Sequence, residues 1–351
     1  MLLEKIKKLI KESGAIPFDK FMSLSNAEYY NNSNPLGSRG DFTTAPEISQ
    51  VFGELIGLWL LDCWLKMDSP QKCHLVELGA GRGTLLKDIL RATKNFPHFH
   101  DSLKISIVEI NAELIRLQKE TLSQYKNISW VNAVENLAID SPVLIYSNEF
   151  FDALPTKQYL IKENETFELH VDLADDYLKL VFLKSSPLPN MLQQQEEIIY
   201  ETSPMANSIF NYLVARVAEH GGAFLTIDYG YEVNEFRNTI RGYKNHEVLS
   251  VFEIINGAGK VDFTYNVNFA ELAATVVEVN KFELITQRAF LENLGIHERA
   301  ANLLKNITDP KDKADFNAAI KTLIAKDQMG EKFKALCVSK NIPNIAVFRK
   351  K

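Results

Sequence analysis

The chain has 351 residues, and its 39 lysines and arginines face 45 aspartates and glutamates, which gives a formal net charge of -6 at pH 7. This acidic balance disfavours nonspecific attraction to nucleic acid. Hydrophobic residues make up 46% of the chain, which excludes a disordered or fibrous protein and is enough for a substantial core.

Cysteine usage and the N-terminal segment bear on the compartment. Cys63, Cys73 and Cys337 are unclustered, which predicts a reducing compartment and argues against a disulfide framework or a zinc site, so no metal is expected. Residues 1–10 have an amphipathic helical pattern that contains Glu4 and lacks arginine, unlike a transit or signal peptide. The lack of a transit-peptide pattern favours a bacterial cytoplasmic protein, with the mitochondrial matrix as the alternative. No apolar run is long enough to span a bilayer.

The N-terminal region, residues 1–70, has a helical pattern interrupted by one long polar loop. Thr44 or Pro46 suits a helix start, and 51–60 is apolar on nearly every side, which predicts a buried helix. Thr44 and Glu47 belong to a segment rich in hydroxyls and carboxylates. These side chains either line a ligand site or cap helices, and the sequence alone favours neither reading.

A glycine turn lies at 79–83. The apolar run that ends at Leu78 predicts a buried strand, and the helical spacing that resumes at Leu85 predicts a helix after the turn. A dinucleotide site needs Gly-x-Gly-x-x-Gly, whereas this turn has Thr84 at the last position. The turn resembles motif I of class I S-adenosylmethionine methyltransferases, and a tight strand-to-helix connection in another α/β protein is the alternative. The cofactor-binding residues that follow from this resemblance are Glu77, Gly79, Ala80, Gly81 and Gly83.

Strands and helices alternate after the turn, which predicts a doubly wound α/β sheet. The second strand is expected at 104–110, and Glu109 near its carboxyl end is placed to accept hydrogen bonds from ribose hydroxyls. The fourth strand, 143–147, is followed by Asn148 and Glu149, a position that faces the reacting end of a ligand in an open parallel sheet. The alternative for Glu109 is a solvated glutamate at the end of a strand. The alternative for Asn148 and Glu149 is a turn with core aromatics.

Further elements surround this sheet. An antiparallel hairpin insert is expected at 156–200, and a helical insert at 291–330. The fifth strand, 222–231, carries Asp228 near its carboxyl end, close to where a substrate is expected. A sixth strand is expected at 282–290.

Several longer motifs extend over nearly the whole chain. They are Gly40–Gln50, Phe52–Glu54, Glu77–Leu85, Asn148–Pro155, Asp228–Tyr231, the residues Gln287, Phe290 to Leu291 and Leu294 to Ile296, and Met329 to Gly330 with Phe333 to Lys334. Together they resemble the MidA-like family of S-adenosylmethionine-dependent methyltransferases, the bacterial relatives of the mitochondrial arginine methyltransferase that assists respiratory complex I assembly. This chain departs from the family in having Ala80 for a proline and Asn266 for a histidine.

The resemblance implies a class I, Rossmann-like fold with a seven-stranded, doubly wound sheet. The N-terminal helical region, 1–70, would contribute to the site, and the methyltransferase core would occupy 71–350. The implied cofactor is S-adenosyl-L-methionine, with S-adenosyl-L-homocysteine as product. The implied substrate is an arginine guanidinium of a partner protein, a respiratory complex I subunit or its bacterial counterpart.

A carboxylate pair suits such a substrate, because it can orient a guanidinium through bidentate hydrogen bonds. Glu149 and Asp152 are the first catalytic candidates, and Glu47 and Asp228 are the lesser ones. The remaining expected cofactor-binding residues are Glu109, Asn148 and Thr44. The alternative functions are an N-methyltransferase of a small molecule or nucleic acid and a noncatalytic assembly factor that binds the same cofactor. A homodimer is one option for the oligomeric state of this chain.

Overall fold

The structure is a computed structural model that describes residues 2–32, 44–188, 197–233, 235–244, 247–274, 281–343 and 345–348. The helices are α1 (Leu2–Ser13), α2 (Phe18–Asn32), α3 (Ala45–Ile48), α4 (Gln50–Lys66), α5 (Thr84–Ala92), α6 (Pro97–Ser102), α7 (Ala112–Thr121), α8 (Pro204–His220), α9 (Val251–Asn256), α10 (Phe269–Ala274), α11 (Gln287–Asn293), α12 (Ile296–Leu304), α13 (Pro310–Ile324) and α14 (Met329–Lys332). The strands are β1 (Ile16–Pro17), β2 (Cys73–Leu78), β3 (Leu103–Val108), β4 (Ile128–Val131), β5 (Val143–Asn148), β6 (Lys157–Lys162), β7 (Glu165–Ala174), β8 (Tyr177–Ser185), β9 (Ile198–Thr202), β10 (Gly222–Tyr231), β11 (Arg241–Lys244), β12 (Glu247–Val248), β13 (Asp262–Thr264), β14 (Val267–Asn268), β15 (Lys281–Thr286) and β16 (Phe333–Lys340).

The chain divides into two compact units. The first comprises Met1–Phe42, Phe151–Ser208 and Tyr231–Leu272. The second comprises Thr43–Phe150, Ile209–Gly230 and Ala273–Lys351. The glycine turn and the predicted parallel strands fall in the second unit, which therefore holds most of the candidate site.

Seven strands follow one another across the central sheet of the second unit, in the order β15-β16-β10-β5-β2-β3-β4. The strands from β10 to β4 run parallel, whereas β16 is antiparallel to both of its neighbours. Because β2 lies between β5 and β3, the strand order reverses at β2. An open sheet of this kind binds its ligand outside the carboxyl ends of the strands at that point. The predicted doubly wound α/β fold is confirmed.

The predicted buried helix is α4, and two of its glycines allow it to pack closely on α5. A Cβ on Gly53 would lie 2.7 Å from the Cβ of Asp88, and one on Gly57 would lie 3.0 Å from the Cα of Ile89. Larger side chains at these two positions would push the helices apart. The predominance of apolar residues on α4 is explained by burial on most of its surface.

Glu54 on α4 is the main polar exception, and it is 2% exposed. Its Oε1 accepts a hydrogen bond from Nη1 of Arg91 on α5 at 2.8 Å, and its Oε2 accepts one from Nε of Arg299 on α12 at 2.6 Å. A buried charge is tolerated when it is paired and hydrogen-bonded in this way. Glu54 thus joins three helices of the second unit.

The first unit contains the antiparallel strands expected between 156 and 200. β6, β7 and β8 are antiparallel neighbours, β9 pairs with β6, and β1 pairs with β7. Its core includes Phe21 and Phe263, whose rings meet edge to face with centroids 5.5 Å apart. Part of the predicted insert, 189–196, lies outside the described residues.

The sixth strand is shorter than predicted. β15 ends at Thr286, whereas the apolar pattern predicted a strand that continues to 290. The hydroxyl of Thr286 accepts a hydrogen bond from the N–H of Ala289 at 3.2 Å and caps α11. A side-chain oxygen at this position satisfies an N–H that the first helical turn leaves without a partner. The prediction was wrong here because a short apolar run fits a strand and a helix equally well.

Among the described residues, no helix is both long and apolar enough to cross a membrane. In the same part of the chain, no group of three or more histidine, cysteine, aspartate or glutamate side chains could hold a metal ion. Cys63, Cys73 and Cys337 are buried, and none of the three forms a disulfide bond.

Candidate cofactor and active site

The glycine turn joins β2 to α5. Gly79, Gly81 and Gly83 have φ angles of 62°, 52° and 81°, a left-handed region that glycine adopts at little cost. The N–H of Gly83 donates to the carbonyl oxygen of Ala80 at 2.7 Å. A Cβ on Gly79 would lie 2.9 Å from Cδ2 of the Phe150 ring. The backbone path therefore needs glycine at all three positions. Gly79 is needed for a second reason, because the Phe150 ring lies too close for a Cβ at this position.

Glu77 lies on β2 just before this turn and is 2% exposed. The hydroxyl of Tyr146, its partner across the sheet on β5, donates to Oε2 of Glu77 at 3.1 Å. Burial raises the pKa of Glu77 to about 8, while the hydrogen bond from Tyr146 acts in the opposite direction. The structure thus places this predicted cofactor-binding residue in the core beneath the turn.

Glu109 follows directly after β3, which ends at Val108. Its Oε1 accepts hydrogen bonds from the backbone N–H groups of Ile110 and Asn111, both at 2.9 Å, and its Oε2 accepts one from Nε2 of Gln118 at 3.1 Å. Burial raises the pKa of Glu109, and these three hydrogen bonds oppose that shift. The side chain lies at the carboxyl edge of the sheet, where the sequence placed it.

A cavity of about 310 Å³ lies beside Glu109. The residues that line it are Glu109, Ile115, Trp130, Val131, Asn132 and Asn136. Apolar and aromatic surface with a few polar groups is the usual composition of a small-molecule site. Here the carboxylate suits ribose hydroxyls, and the apolar and amide side chains suit a purine base.

Two residues of this site, Gln118 and Trp130, are absent from the sequence-based prediction. Gln118 is completely buried, and its Nε2 donates to the carbonyl oxygen of Gly81 at 2.8 Å as well as to Glu109. Its Oε1 accepts a hydrogen bond from Nε1 of Trp130 at 2.9 Å. The signal in the sequence is its place four residues after Leu114, on the buried face of α7. A buried amide in an apolar stripe indicates internal hydrogen-bond partners.

Glu149 follows the end of β5 with a φ of 51°, which is rare for a residue other than glycine. Its N–H donates to the carbonyl oxygen of Ile227 on β10 at 2.9 Å. Its Oε1 accepts hydrogen bonds from the N–H of Ala45 at 3.3 Å and from Nδ2 of Asn148 at 2.9 Å. Uncommon backbone conformations that the surroundings enforce cluster at functional sites. The carboxylate of Glu149 is thus fixed at the carboxyl end of β5.

Glu47 lies on α3, just before the buried helix, and Thr44 immediately precedes α3. The hydroxyl of Thr84, the first residue of α5, donates to Oε1 of Glu47 at 2.6 Å. Thr44 is the N-cap residue of α3, but its side chain makes no capping hydrogen bond. The structure therefore connects Glu47 to the helix that follows the glycine turn.

The two aspartates of the prediction fall in different units. Asp228 on β10 is completely buried in the second unit, where its Oδ1 accepts a hydrogen bond from the N–H of Tyr229 at 3.0 Å. Asp152 belongs to the first unit, where its Oδ2 accepts a hydrogen bond from the hydroxyl of Thr264 at 2.8 Å. The predicted catalytic carboxylates of the second unit are Glu47, Glu149 and Asp228.

These residues fit S-adenosylmethionine. The cavity and the carboxylate of Glu109 suit its nucleoside, and the left-handed glycine turn allows close approach of the backbone. Oδ1 of Asn148 is buried and has no hydrogen-bond partner among the described residues, so it offers an acceptor to an amino group. The central sheet, with the reversal of its strand order at β2, and this site define a class I S-adenosylmethionine-dependent methyltransferase.

Comparison with known proteins identifies the family. The model of a family described as "Putative S-adenosyl-L-methionine-dependent methyltransferase" matches residues 55–286, more than half of the chain, and the chain belongs to this family. The mitochondrial protein arginine methyltransferase NDUFAF7 of Danio rerio is 32% identical over 370 residues, which cover 96% of this chain and 86% of that protein. The human protein of the same name is 30% identical over 365 residues, which cover 95% of this chain and 82% of that protein.

A solved structure shows the same fold. The crystal structure of a Burkholderia thailandensis protein bound to S-adenosyl-homocysteine matches with a TM-score of 0.81 at 22% identity, over 97% of this chain and 92% of that one. The predicted family, class I fold and cofactor are therefore confirmed.

Proposed function

We propose that this protein transfers a methyl group from S-adenosylmethionine to an arginine guanidinium of a partner protein. The relatives named above are protein arginine methyltransferases, and their similarity extends over nearly the whole chain. The observation that carries the proposal is the carboxylate of Glu149, held by the N–H of Ala45 and the amide of Asn148 at the carboxyl end of β5. An acidic group at this edge of the sheet suits a cationic, planar substrate.

When bound, S-adenosylmethionine supplies an electrophilic methyl group on a sulfonium. Glu149 would orient the guanidinium through hydrogen bonds, since a carboxylate and a guanidinium match in geometry and charge. As the guanidinium nitrogen gains the methyl group it loses a proton, and the Glu149 carboxylate accepts that proton. Alignment of the reacting atoms contributes more to such a displacement than acid or base strength does.

The other assignments in the proposal rest on position. Asp152 is the second carboxylate for the guanidinium, because it follows Glu149 closely in the motif Asn148–Pro155. Asp228 lies on β10, the neighbour of β5, and Glu47 is hydrogen-bonded to Thr84 at the start of α5. Both are secondary candidates. The cofactor-binding set consists of Thr44, Glu77, Gly79, Ala80, Gly81, Gly83, Glu109 and Asn148.

The family resemblance also supports a class of partner. We infer that the methylated protein is a subunit of respiratory complex I or its bacterial counterpart. We infer the bacterial cytoplasm as the compartment, with the mitochondrial matrix as the alternative. Cys63, Cys73 and Cys337 form no disulfide bond, which is consistent with either reducing environment.

The experiment is a transfer assay with S-adenosylmethionine labelled in its methyl group. The enzyme is incubated with extract from cells that lack its gene, and portions are treated with nuclease or with protease. We expect label that precipitates with protein, survives nuclease and is recovered as methylarginine after acid hydrolysis. Label in a small molecule or in nucleic acid, or no transfer by a protein that binds the cofactor, would overturn the proposal.

A further inference from the structure

Gln118 connects three parts of the cofactor site from one buried position. One N–H of its amide donates to the carbonyl oxygen of Gly81 in the glycine turn at 2.8 Å, and the other donates to Oε2 of Glu109 at 3.1 Å. Its carbonyl oxygen accepts from the indole N–H of Trp130 at 2.9 Å. The backbone of α7 also lies against the turn, since a Cβ on Gly83 would be 3.5 Å from the Cα of Gln118.

These contacts fix the orientation of the amide. If it were flipped, its carbonyl oxygen would face the Gly81 carbonyl and the Glu109 carboxylate, and its NH₂ group would face the indole N–H of Trp130. Each of these pairings is repulsive, because it brings two acceptors or two donors together. Leu114 in the same stripe of α7 and Leu122, which directly follows the helix, are apolar and buried. A side chain that only filled this space would not need an amide.

The hydrogen bonds of Glu109 show which of its oxygens can meet a ligand. A carboxylate has about four lone-pair positions, two on each oxygen. The N–H groups of Ile110 and Asn111 occupy Oε1, whereas Gln118 occupies one position of Oε2. The remaining position lies on Oε2, and Glu109 lines the cavity.

We propose that Gln118 is a positioning residue that directs Oε2 of Glu109 at a ribose hydroxyl of the cofactor and so sets the preference of the site for a ribose over a deoxyribose. The inference rests on the proposed assignment of Glu109 to the ribose. It extends that assignment by coupling the ribose contact to the glycine turn through one amide. Gln118 itself touches Gly81, Glu109 and Trp130 and acts through them.

The test measures binding by titration calorimetry with S-adenosylhomocysteine and with its 2′-deoxy and 3′-deoxy analogues. In Gln118→Met the volume is kept and both donors are lost. We expect its affinity for S-adenosylhomocysteine to fall about tenfold, the effect of losing a hydrogen bond to a charged group. Its affinity for at least one deoxy analogue should change much less. The ratio of the affinity for S-adenosylhomocysteine to the affinity for that analogue should therefore fall.

A control variant and a substitute variant make the result decisive. Gln71→Met changes an exposed glutamine at the other end of β2 and should leave every affinity as in the wild type. A loss of the same factor for all three ligands in Gln118→Met, or no loss, would overturn the inference, since a purely structural role predicts an unchanged ratio. If Gln118→Met does not unfold cooperatively, Gln118→Asn, which keeps a polar group but shortens its reach, is measured instead with the same expected ratio.

Glu109→Gln separates the assignment of Glu109 to the ribose from the positioning role of Gln118. If it keeps the ribose preference, the assignment of Glu109 is wrong. If it loses the preference and Gln118→Met keeps it, only the role of Gln118 is wrong. Because binding alone is measured, failure to find arginine methylation would leave both results interpretable.

Discussion

The carboxylate of Glu149 accepts a hydrogen bond from the backbone N–H of Ala45 at 3.3 Å, although the two residues are 104 positions apart. The contact joins the start of α3 to the turn after β5. The amide of Asn148 binds the same oxygen at 2.9 Å, so one oxygen of the carboxylate has two donors. Two donors from separate segments fix the direction of this acid more firmly than either would alone.

The substitution Glu149→Gln tests the chemical role of this acid. A glutamine keeps an Oε1 that accepts from Ala45 and Asn148, so the local structure should persist while the charge and the proton acceptor are lost. We expect kcat for methyl transfer to fall about 100-fold, with unchanged affinity for S-adenosylhomocysteine by calorimetry.

The matched control is Glu163→Gln. Glu163 is also a glutamate with positive φ, 52°, but it lies in an exposed turn of the first unit. Its substitution should leave kcat and affinity as in the wild type. If Glu149→Gln had the kcat of the wild type, Glu149 would have no chemical role in methyl transfer.

The substitution Gly79→Ala tests the glycine turn. A Cβ at this position meets the Phe150 ring at 2.9 Å, and φ is 62°, so the variant should bind S-adenosylhomocysteine at least tenfold more weakly, because displacing Phe150 distorts the turn. Gly14→Ala is the control, since Gly14 has φ of 80° with no heavy atom within 4 Å. It should cost about 1 kcal/mol of stability from the backbone alone and leave binding unchanged. Equal effects of the two changes on calorimetric affinity would count against the account of the turn.

Glu77 should make stability fall as pH rises. Its pKa is raised from 4.5 to about 8 by burial, so the native state keeps a proton that the unfolded chain releases. The stability that this proton gives to the native state is fully present below about pH 4.5 and is lost as the pH rises through about 8. Glu77→Gln cannot ionise and should gain stability relative to the wild type between these values, by up to a few kcal/mol.

The measurement is urea denaturation of the cofactor-free protein across this pH range. Tyr146→Phe serves as a second variant, because it removes a hydrogen bond that lowers the pKa of Glu77 and should extend the loss of stability to higher pH. Parallel stability curves for the wild type and Glu77→Gln would show that Glu77 does not titrate in this window.

The substitution Gly57→Ala tests the packing of α4 on α5. Alanine is favoured over glycine in a helix by about 1 kcal/mol, but a Cβ here would lie 3.0 Å from the Cα of Ile89 and 3.1 Å from its carbonyl oxygen. We expect a net destabilisation of about 1–3 kcal/mol by thermal or urea unfolding. Leu58→Ala, at the next and more exposed position, should cost less. A stabilised Gly57→Ala protein would mean that the two helices are not in contact at this point.

Local chemistry predicted much of this fold. β2, β5 and β10 are rich in apolar residues and buried along most of their length because parallel strands are covered on both faces, and the glycines of the turn are required by positive φ. Glu109 was located by its place near the carboxyl end of an apolar strand. The MidA-like motifs identified the family, which a glycine turn alone does not do.

The missed features depend on contacts between distant segments. The partners of Gln118 are Gly81, Glu109 and Trp130, and no local pattern brings these together. Spacing likewise gave no sign that Asp152 and Glu149 belong to different compact units.

The central claim is that the cofactor lies at the carboxyl edge of β2 and β3 with its reactive end toward Glu149. A crystal structure with S-adenosylhomocysteine tests this most directly. The account predicts a ribose hydroxyl within hydrogen-bond distance of Oε2 of Glu109, the base in the cavity beside Trp130, and the sulfur facing the carboxylate of Glu149. A ligand bound elsewhere, or a Glu149 side chain directed away from the sulfur, would contradict it.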